Sequence, residues 1–257
     1  MYSILARYYD LENAAFTEDL PFWLELAADA GEGQAPSDSI LEVGCGSGRV
    51  LLHLARHGHA VLGLDNSPEM LTLAQERLKK HKGIGEKVRL VQADMRDFSL
   101  GATFRAIFLP FNTFAHLLTQ ADQMAALSAM RRHGGPGTTL AMDVPSAGEV
   151  YASTDSGLVL ERTFRDEARG LTIQQFSHLE LDRAAQLGYV TWLYDEIAAD
   201  GTVRRTTVPV TFRYTFPAEM SLLLEHAGFR LRHLYGNYDR SAFGDEQPRM
   251  LVVAEAA

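Results

Sequence analysis

The sequence holds a single cysteine, Cys45, among 257 residues, so no disulfide can close within the chain. That fits a reducing compartment better than a disulfide-stapled secreted scaffold. No apolar run approaches the roughly 18 residues that would cross a bilayer. The opening segment Met1–Asp10 lacks a basic start followed by a long apolar stretch, so it is not read as a secretory leader, and the cytoplasm is the expected location. Basic residues are in deficit: 24 Lys and Arg against 33 Asp and Glu leave a formal net charge of -9. The pairs Lys79–Lys80 and Arg204–Arg205 are too short to make a basic track. A surface of this sign repels a phosphate backbone, which argues against a nucleic-acid partner. Repeats and low-complexity tracts are also missing, and no metal site is expected.

What remains is an ordinary globular composition, 46% hydrophobic and 22% charged. The length suits one sizeable domain, or one domain carrying an insertion. Leu20–Ala30 has helical apolar spacing, and Gly31–Ser39 reads as a loop. Strands and helices then alternate. Strands are expected at 40–43, 60–64, 88–92, 106–109 and 138–142, with helices at 50–57, 68–80 and 122–132. Ser67 or Asn66 caps the second of these helices ahead of Pro68. Gly134–Gly137 reads as a turn. Alternation of this kind implies right-handed crossovers and a mostly parallel sheet. The pattern changes at 158–165, 171–182, 187–199 and 203–215, which are strand-like and joined by short turns such as Asp200-Gly201. Consecutive strands with tight turns pair antiparallel. A helix at 218–227 and strands near 229–235 and 250–254 resume the α/β pattern.

The strongest local signal is Ile40-Leu-Glu-Val-Gly-Cys-Gly-Ser-Gly-Arg49. Gly44, Gly46 and Gly48 follow a buried strand and precede a helix, where open α/β sheets bind ligands. A dinucleotide fingerprint needs a glycine at the position held by Arg49, and a phosphate loop needs Gly-Lys-Ser/Thr, which is absent. Glu42 adds a carboxylate beside the loop. It would repel a pyrophosphate and suit a sulfonium ligand that carries an ammonium group. Asp65 ends the second strand about 20 residues on, where an acid can accept both ribose hydroxyls. Asp94 ends the third, placed to accept an adenine amino group while Met95 packs on the ring.

Residues 1–150 resemble the class I S-adenosylmethionine-dependent methyltransferases. The resemblance rests on Leu-Glu-Val-Gly-Cys-Gly-Ser-Gly, on Gly-Leu-Asp-Asn-Ser-Pro-Glu-Met-Leu from Gly63, and on Ala-Asp-Met-Arg-Asp-Phe from Ala93. It implies an α/β fold, a Rossmann-like sheet with helices on both faces. S-adenosylmethionine is the implied cofactor and S-adenosylhomocysteine the product. By resemblance, Gly44, Gly46 and Gly48 hold the methionine moiety, Asp65 the ribose, and Asp94 with Met95 the adenine. Asn66, Met70, Pro110 and Tyr9 complete the implied cofactor set.

Leu109-Pro-Phe-Asn-Thr-Phe-Ala-His-Leu117 is similar to a stretch of the glycine N-methyltransferases and, more loosely, of the sugar N-methyltransferases. Both groups carry an antiparallel insertion after the fifth strand and tyrosines near the N-terminus, here Tyr8 and Tyr9. The resemblance gives His116 a cofactor contact and a catalytic role, and Asn112 a catalytic place against the acceptor. No arginine follows Asp143-Val-Pro-Ser, which makes glycine itself a poor acceptor. The expected division is 1–150 with 216–257 as the cofactor domain, and 151–215 as an inserted sheet on the acceptor side. The insertion and the N-terminal segment would cover the site as a lid, and an exposed insertion sheet offers a surface for a second copy.

The residues leave other readings open. On the alternative reading His116 and Asn112 only cap a helix, Tyr8 and Tyr9 only pack, and Asp143 only braces its strand. Arg213, Tyr214 and Phe216 either line a pocket or alternate across a sheet. The expected activity is N- or O-methylation of a small molecule. A nicotinamide oxidoreductase and a non-catalytic S-adenosylmethionine binder are the alternatives.

Overall fold

The structure, a computed structural model, describes residues 2–13, 15–30, 39–81, 83–155, 157–244 and 246–257. The loop expected at Gly31–Ser39 therefore lies outside the described residues, except Ser39, which begins a strand. The chain opens with helices α1 (Tyr2–Asn13) and α2 (Leu20–Asp29). Strand β1 (Ser39–Val43), α3 (Arg49–Arg56), β2 (Ala60–Asp65), α4 (Pro68–Lys79) and β3 (Val88–Gln92) follow. Then come β4 (Phe104–Leu109), α5 (Gln120–Arg132), β5 (Gly134–Pro145) and the short α6 (Ala147–Ala152). After four further strands, α7 (Pro217–His226), β10 (Phe229–Tyr235) and β11 (Arg249–Ala256) close the fold.

Seven strands form one sheet in the order β10-β11-β5-β4-β1-β2-β3. Strands β1 to β5 pair in parallel, and β11 enters antiparallel between β5 and β10. Side chains alternate across the sheet, so each strand feeds two cores. Leu41, Val43, Ile107, Leu109, Leu140 and Met142 face α5 and α7, with Met130, Met220 and Leu224. Ile40, Ala106, Phe108 and Ala141 face α2 and α3, with Trp23, Leu26, Leu51 and Leu54. Cover on both faces explains why the central strands read as unbroken apolar runs. Ser67 caps α4: its hydroxyl accepts the Met70 amide at 3.2 Å, and Pro68 occupies the first turn.

Strands β6 (Val159–Asp166), β7 (Leu171–Asp182), β8 (Leu187–Ile197) and β9 (Val203–Arg213) form a separate antiparallel meander. One face packs on α1 through Ile173, Tyr194 and Val208, with the Tyr8 ring stacked on Tyr194 at 4.0 Å. Among the exposed apolar residues are Val159 and Leu160 on edge strand β6 and Val203 on edge strand β9. That is the surface on which the sequence reading placed a second copy.

Two differences from the sequence reading have physical causes. Strand β5 starts at Gly134, not Thr138, because Gly134 already pairs with Phe104. The Gly-Gly-Pro-Gly segment expected as a turn lies within the strand, where the register against β4 shifts and Gly137 sits at φ 83°. Helix α1 was not anticipated, because its apolar residues Leu5, Tyr8 and Leu11 find their partners in a sheet more than 150 residues away. No helix among the described residues is long and apolar enough to cross a membrane. No group of three or more His, Cys, Asp or Glu among them is placed to hold a metal ion.

Candidate active site

The site forms where β1, β2, β4 and β5 end. All three loop glycines are left-handed, with φ 70° at Gly44, 53° at Gly46 and 77° at Gly48. The turn is tied to β2 by Gly44 N–H and Cys45 N–H, both donating to the Leu64 carbonyl. Gly44 has no room for a side chain: a Cβ would meet Thr113 Cγ2 at 2.3 Å. Gly46 differs, since its Cβ position meets only the Tyr9 hydroxyl, at 3.8 Å. The Gly46 amide donates to Asp65 Oδ2 at 2.8 Å, and the Ser67 amide donates to Asp65 Oδ1 at 2.9 Å. Burial raises the Asp65 pKa, and these amides pull against it.

Glu42 lies beneath this loop, 2% exposed. Its Oε2 has no hydrogen-bond partner. Burial pushes its pKa up to about 8; the Arg49 charge opposes this, and Asp19 and Asp65 add to it. Arg49 does not neutralise Glu42 by contact. Its guanidinium is bidentate to Asp19, at 2.6 and 2.7 Å, and lies over the rings of Phe16 and Phe111. A cavity of about 30 Å³ remains, lined by Tyr9, Glu42, Gly44, Arg49, Phe111 and Thr113 among others. Pro110 also lines it, but Asn112 and His116 do not.

Strand β4 runs into a strained turn. Phe111 and Asn112 are consecutive non-glycine residues at φ 55° and 61°. Left-handed backbone costs about 1–2 kcal/mol per L-residue. Strain of this kind persists only where its surroundings enforce it, and it concentrates at functional sites. Thr113–His116 is a short 3₁₀ turn, half-burying His116. Burial lowers the His116 pKa, so the ring is neutral at neutral pH.

The N-terminal segment covers this end of the sheet. Asp10 accepts from the Ser47 hydroxyl and from Arg77, both at 2.6 Å, which ties α1 to the glycine loop and to α4. Tyr9 meets Phe111 edge to face at 6.3 Å. Tyr8 points the other way, into the inserted sheet, so only one of the two tyrosines faces the site. Asp94 lies at the end of β3 with its carboxylate gripped by Arg96, whose Nη2 donates to Oδ2 at 2.6 Å. Met95 packs against the nearby core, Asn66 is exposed and Met70 is buried.

Sequence reading missed Asp19, which anchors Arg49, and Thr113, which forces a glycine at 44. It also missed Tyr238 and Arg249, which hold Asp143. Arg49 was noticed only as an absent glycine. No local pattern marks these residues, because each acts through a partner distant in sequence. Arg213 binds Glu219 at 3.0 Å and the Ala185 carbonyl at 2.8 Å, so it anchors the inserted sheet to α7.

Comparison with known proteins agrees with this geometry. A family described as a methyltransferase domain matches residues 40–137. The chain is 34% identical over 175 residues to the dTDP-3-amino-3,6-dideoxy-alpha-D-glucopyranose N,N-dimethyltransferase of Streptomyces fradiae. That match covers 68% of this chain and 64% of the relative, just under two thirds of its length. Identity is 30% to the dTDP-3-amino-3,4,6-trideoxy-alpha-D-glucopyranose N,N-dimethyltransferase of Streptomyces venezuelae, covering 67% of this chain and 68% of the relative. Among solved structures, the S-adenosylmethionine-bound CalS10, an amino pentose methyltransferase from Micromonospora echinaspora, is similar with a TM-score of 0.76 and 25% identity. The likeness covers 97% of this chain and 96% of that one. These findings set aside the nicotinamide oxidoreductase.

Proposed function

The chain belongs to the class I S-adenosylmethionine-dependent methyltransferases, and from that premise we propose that it methylates the amino nitrogen of a small hydroxylated acceptor, an amino sugar above all. The observation that supports this acceptor is the full-length likeness to an amino pentose methyltransferase, inserted sheet included. S-adenosylmethionine is the cofactor, and the residues present fit it. Glu42 Oε2 is a buried carboxylate oxygen without a partner, beneath a glycine loop whose middle residue has the Tyr9 hydroxyl of helix α1, 3.8 Å from its Cβ position, as its nearest neighbour. An ammonium group is the complement such an oxygen needs.

Glu42 and the loop from Gly44 to Gly48 would then hold the amino-acid end. Asp65 would hold the ribose, with Asn66 and Met70 flanking it. Asp94, sharing its carboxylate with Arg96, would meet the adenine beside Met95. When bound, the cofactor supplies a methyl carbon already activated by its sulfonium. The protein's task is therefore to place the acceptor nitrogen and exclude water. Neutral His116 is suited to take the proton that an ammonium acceptor must lose, and Asn112 to hydrogen-bond its hydroxyls. Phe111, Pro110 and Tyr9 supply the apolar wall. A cavity of about 30 Å³ has room for little more than a water. Helix α1 would have to swing outward to admit the cofactor and then close on it as a lid. In this reading residues 1–150 and 216–257 carry the cofactor, and the 151–215 sheet builds the acceptor side.

A panel assay tests the proposal. The protein is incubated with S-adenosylmethionine and a dTDP-amino-deoxyhexose, the free amino sugar, and the matching hydroxy sugar. Mass spectrometry should find methylated amines and an unchanged hydroxy sugar. Methylation of alcohols or phenols with no amine turned over would overturn the amine assignment.

The state of Glu42 gives a second prediction. At pH 7 a carboxyl with a pKa of about 8 is mostly protonated. Binding an ammonium ligand favours its carboxylate, so S-adenosylhomocysteine should release about one proton. Calorimetry in buffers of different ionisation enthalpy reads this directly, and Glu42→Gln should abolish the release. A wild-type heat independent of buffer would sink the assignment. The same shift also bears on stability. Because the folded pKa is raised, the contribution of Glu42 is complete below the unfolded value and fades as pH rises towards 8.

A further inference from the structure

Behind the strained turn lies a buried polar cluster that neither cofactor binding nor proton transfer uses. Asp143, on β5, is 2% exposed. Tyr238, from the segment between β10 and β11, donates its hydroxyl to Asp143 Oδ2 at 2.5 Å. Arg249, the first residue of β11, donates Nη1 to the Tyr238 hydroxyl at 2.5 Å, and its guanidinium lies 4.3 Å over the tyrosine ring. The cation is 3.8 Å from Asp143 itself. On its other side, Asp143 faces the turn. Its carbonyl accepts the Asn112 amide at 3.1 Å, and the Phe111 amide supports its carboxylate. One residue thus touches both left-handed positions. The Tyr238 ring also packs on Phe16, which packs on Phe111 at 5.4 Å.

A buried carboxylate with one oxygen unpartnered is an expensive way to fill a strand end, and apolar replacement of such clusters is often tolerated or stabilising. Stability alone is a weak account of it, and its contacts lead to the turn. We propose that Asp143, Tyr238 and Arg249 form a positioning relay that holds the Phe111–Asn112 turn left-handed and so sets where the acceptor amine meets the methyl donor. The second half of this statement rests on the acceptor-side reading of Asn112 given above. The relay works through the turn; none of its three residues lines the cavity beside Glu42.

The relay predicts a pH signature. Burial pushes the Asp143 carboxyl up to about 6, while the Tyr238 hydrogen bond and the Arg249 charge pull it down and Asp19, itself paired with Arg49, pushes it up. The carboxylate is the holding form, so turnover should fall as pH drops through about 6. Tyr238→Phe removes one hydroxyl and keeps the ring packed. Loss of that hydrogen bond should move the acid limb to higher pH.

The experiment compares wild type, Tyr238→Phe and Asp143→Asn. The first readout is the backbone chemical shifts of Phe111 and Asn112, which report the sign of φ and need no acceptor. Both variants should shift these two residues or split their signals. With a turned-over amine, kcat/KM for the acceptor should fall about 10- to 100-fold in Tyr238→Phe. Its acid limb should move up, and the limb assigned to Asp143 should vanish in Asp143→Asn. Unchanged shifts at Phe111 and Asn112 in both variants would overturn the relay, whatever the acceptor proves to be. A lowered melting temperature with an unmoved pH profile would reduce the cluster to a structural brace and overturn it too. A turn that moves in a protein that methylates no amine would leave the relay standing and count against the amino-sugar reading.

Discussion

Asp65→Ala is expected to weaken S-adenosylhomocysteine binding by about 100- to 1,000-fold. The carboxylate sits at the end of β2 and already accepts the Gly46 and Ser67 amides, one on each oxygen. Each oxygen keeps a lone pair free for a ribose hydroxyl. Hydrogen bonds to a charged acceptor contribute about 1.5–3 kcal/mol each; at the lower end of that range, losing two removes about 3–4 kcal/mol, which corresponds to about 100- to 1,000-fold in affinity. Calorimetric titration measures it. The amide contacts make a control necessary, because removing the carboxylate also leaves two loop amides unmatched. Asp65→Asn keeps one acceptor oxygen and should fall between wild type and Ala. If Asp65→Ala binds as tightly as wild type while remaining folded, the ribose lies elsewhere and the second-strand acid only braces the loop.

Features legible in the sequence were those whose cause is local. The glycine loop, the Ser67 cap with Pro68, and the 182–187 and 197–203 hairpins each follow from a few adjacent residues. So does the change from alternating helices and strands to a meander, which located the antiparallel sheet. What escaped depends on distant partners. Phe111-Asn112 carries no glycine, so nothing local announces two left-handed residues; Asp143, 31 positions on, holds them. Asp19 and Arg49 are 30 residues apart, and either alone reads as ordinary surface charge. Tyr8 was read as a twin of Tyr9, yet successive helical residues point about 100° apart, so one reached the inserted sheet and the other the site. Asp94 was correctly placed at a strand end, but Arg96, two residues on, occupies its carboxylate. A strand-end acid is visible in a sequence, whereas its competition for partners is not.

The contact between Gly44 and Thr113 couples the two halves of the site, and Gly44→Ala should break both at once. A methyl group there would lie 2.3 Å from Thr113 Cγ2 and 2.7 Å from Oγ1. Thr113 cannot easily yield, because its hydroxyl donates to the Pro110 carbonyl at 2.8 Å and the residue is buried under the strained turn. Two costs therefore add. Left-handed backbone at φ 70° costs about 1–2 kcal/mol for alanine relative to glycine. Overpacking against a fixed neighbour costs about 1–3 kcal/mol. A total of about 2–5 kcal/mol is a large share of a typical stability of about 5–15 kcal/mol. The variant should melt well below wild type, or relieve the clash by moving the turn and lose activity while still folded. Adding Thr113→Ala separates the terms. It removes both colliding atoms and leaves only Cβ, 3.1 Å away. The double variant should recover the overpacking part and keep the backbone penalty, giving an interaction energy of about 1–3 kcal/mol in a double-mutant cycle. Thermal and urea unfolding of the four proteins in the cycle would show it. Simple additivity would mean that the loop and the turn do not press on one another, and that the glycine at 44 is there only for its left-handed backbone.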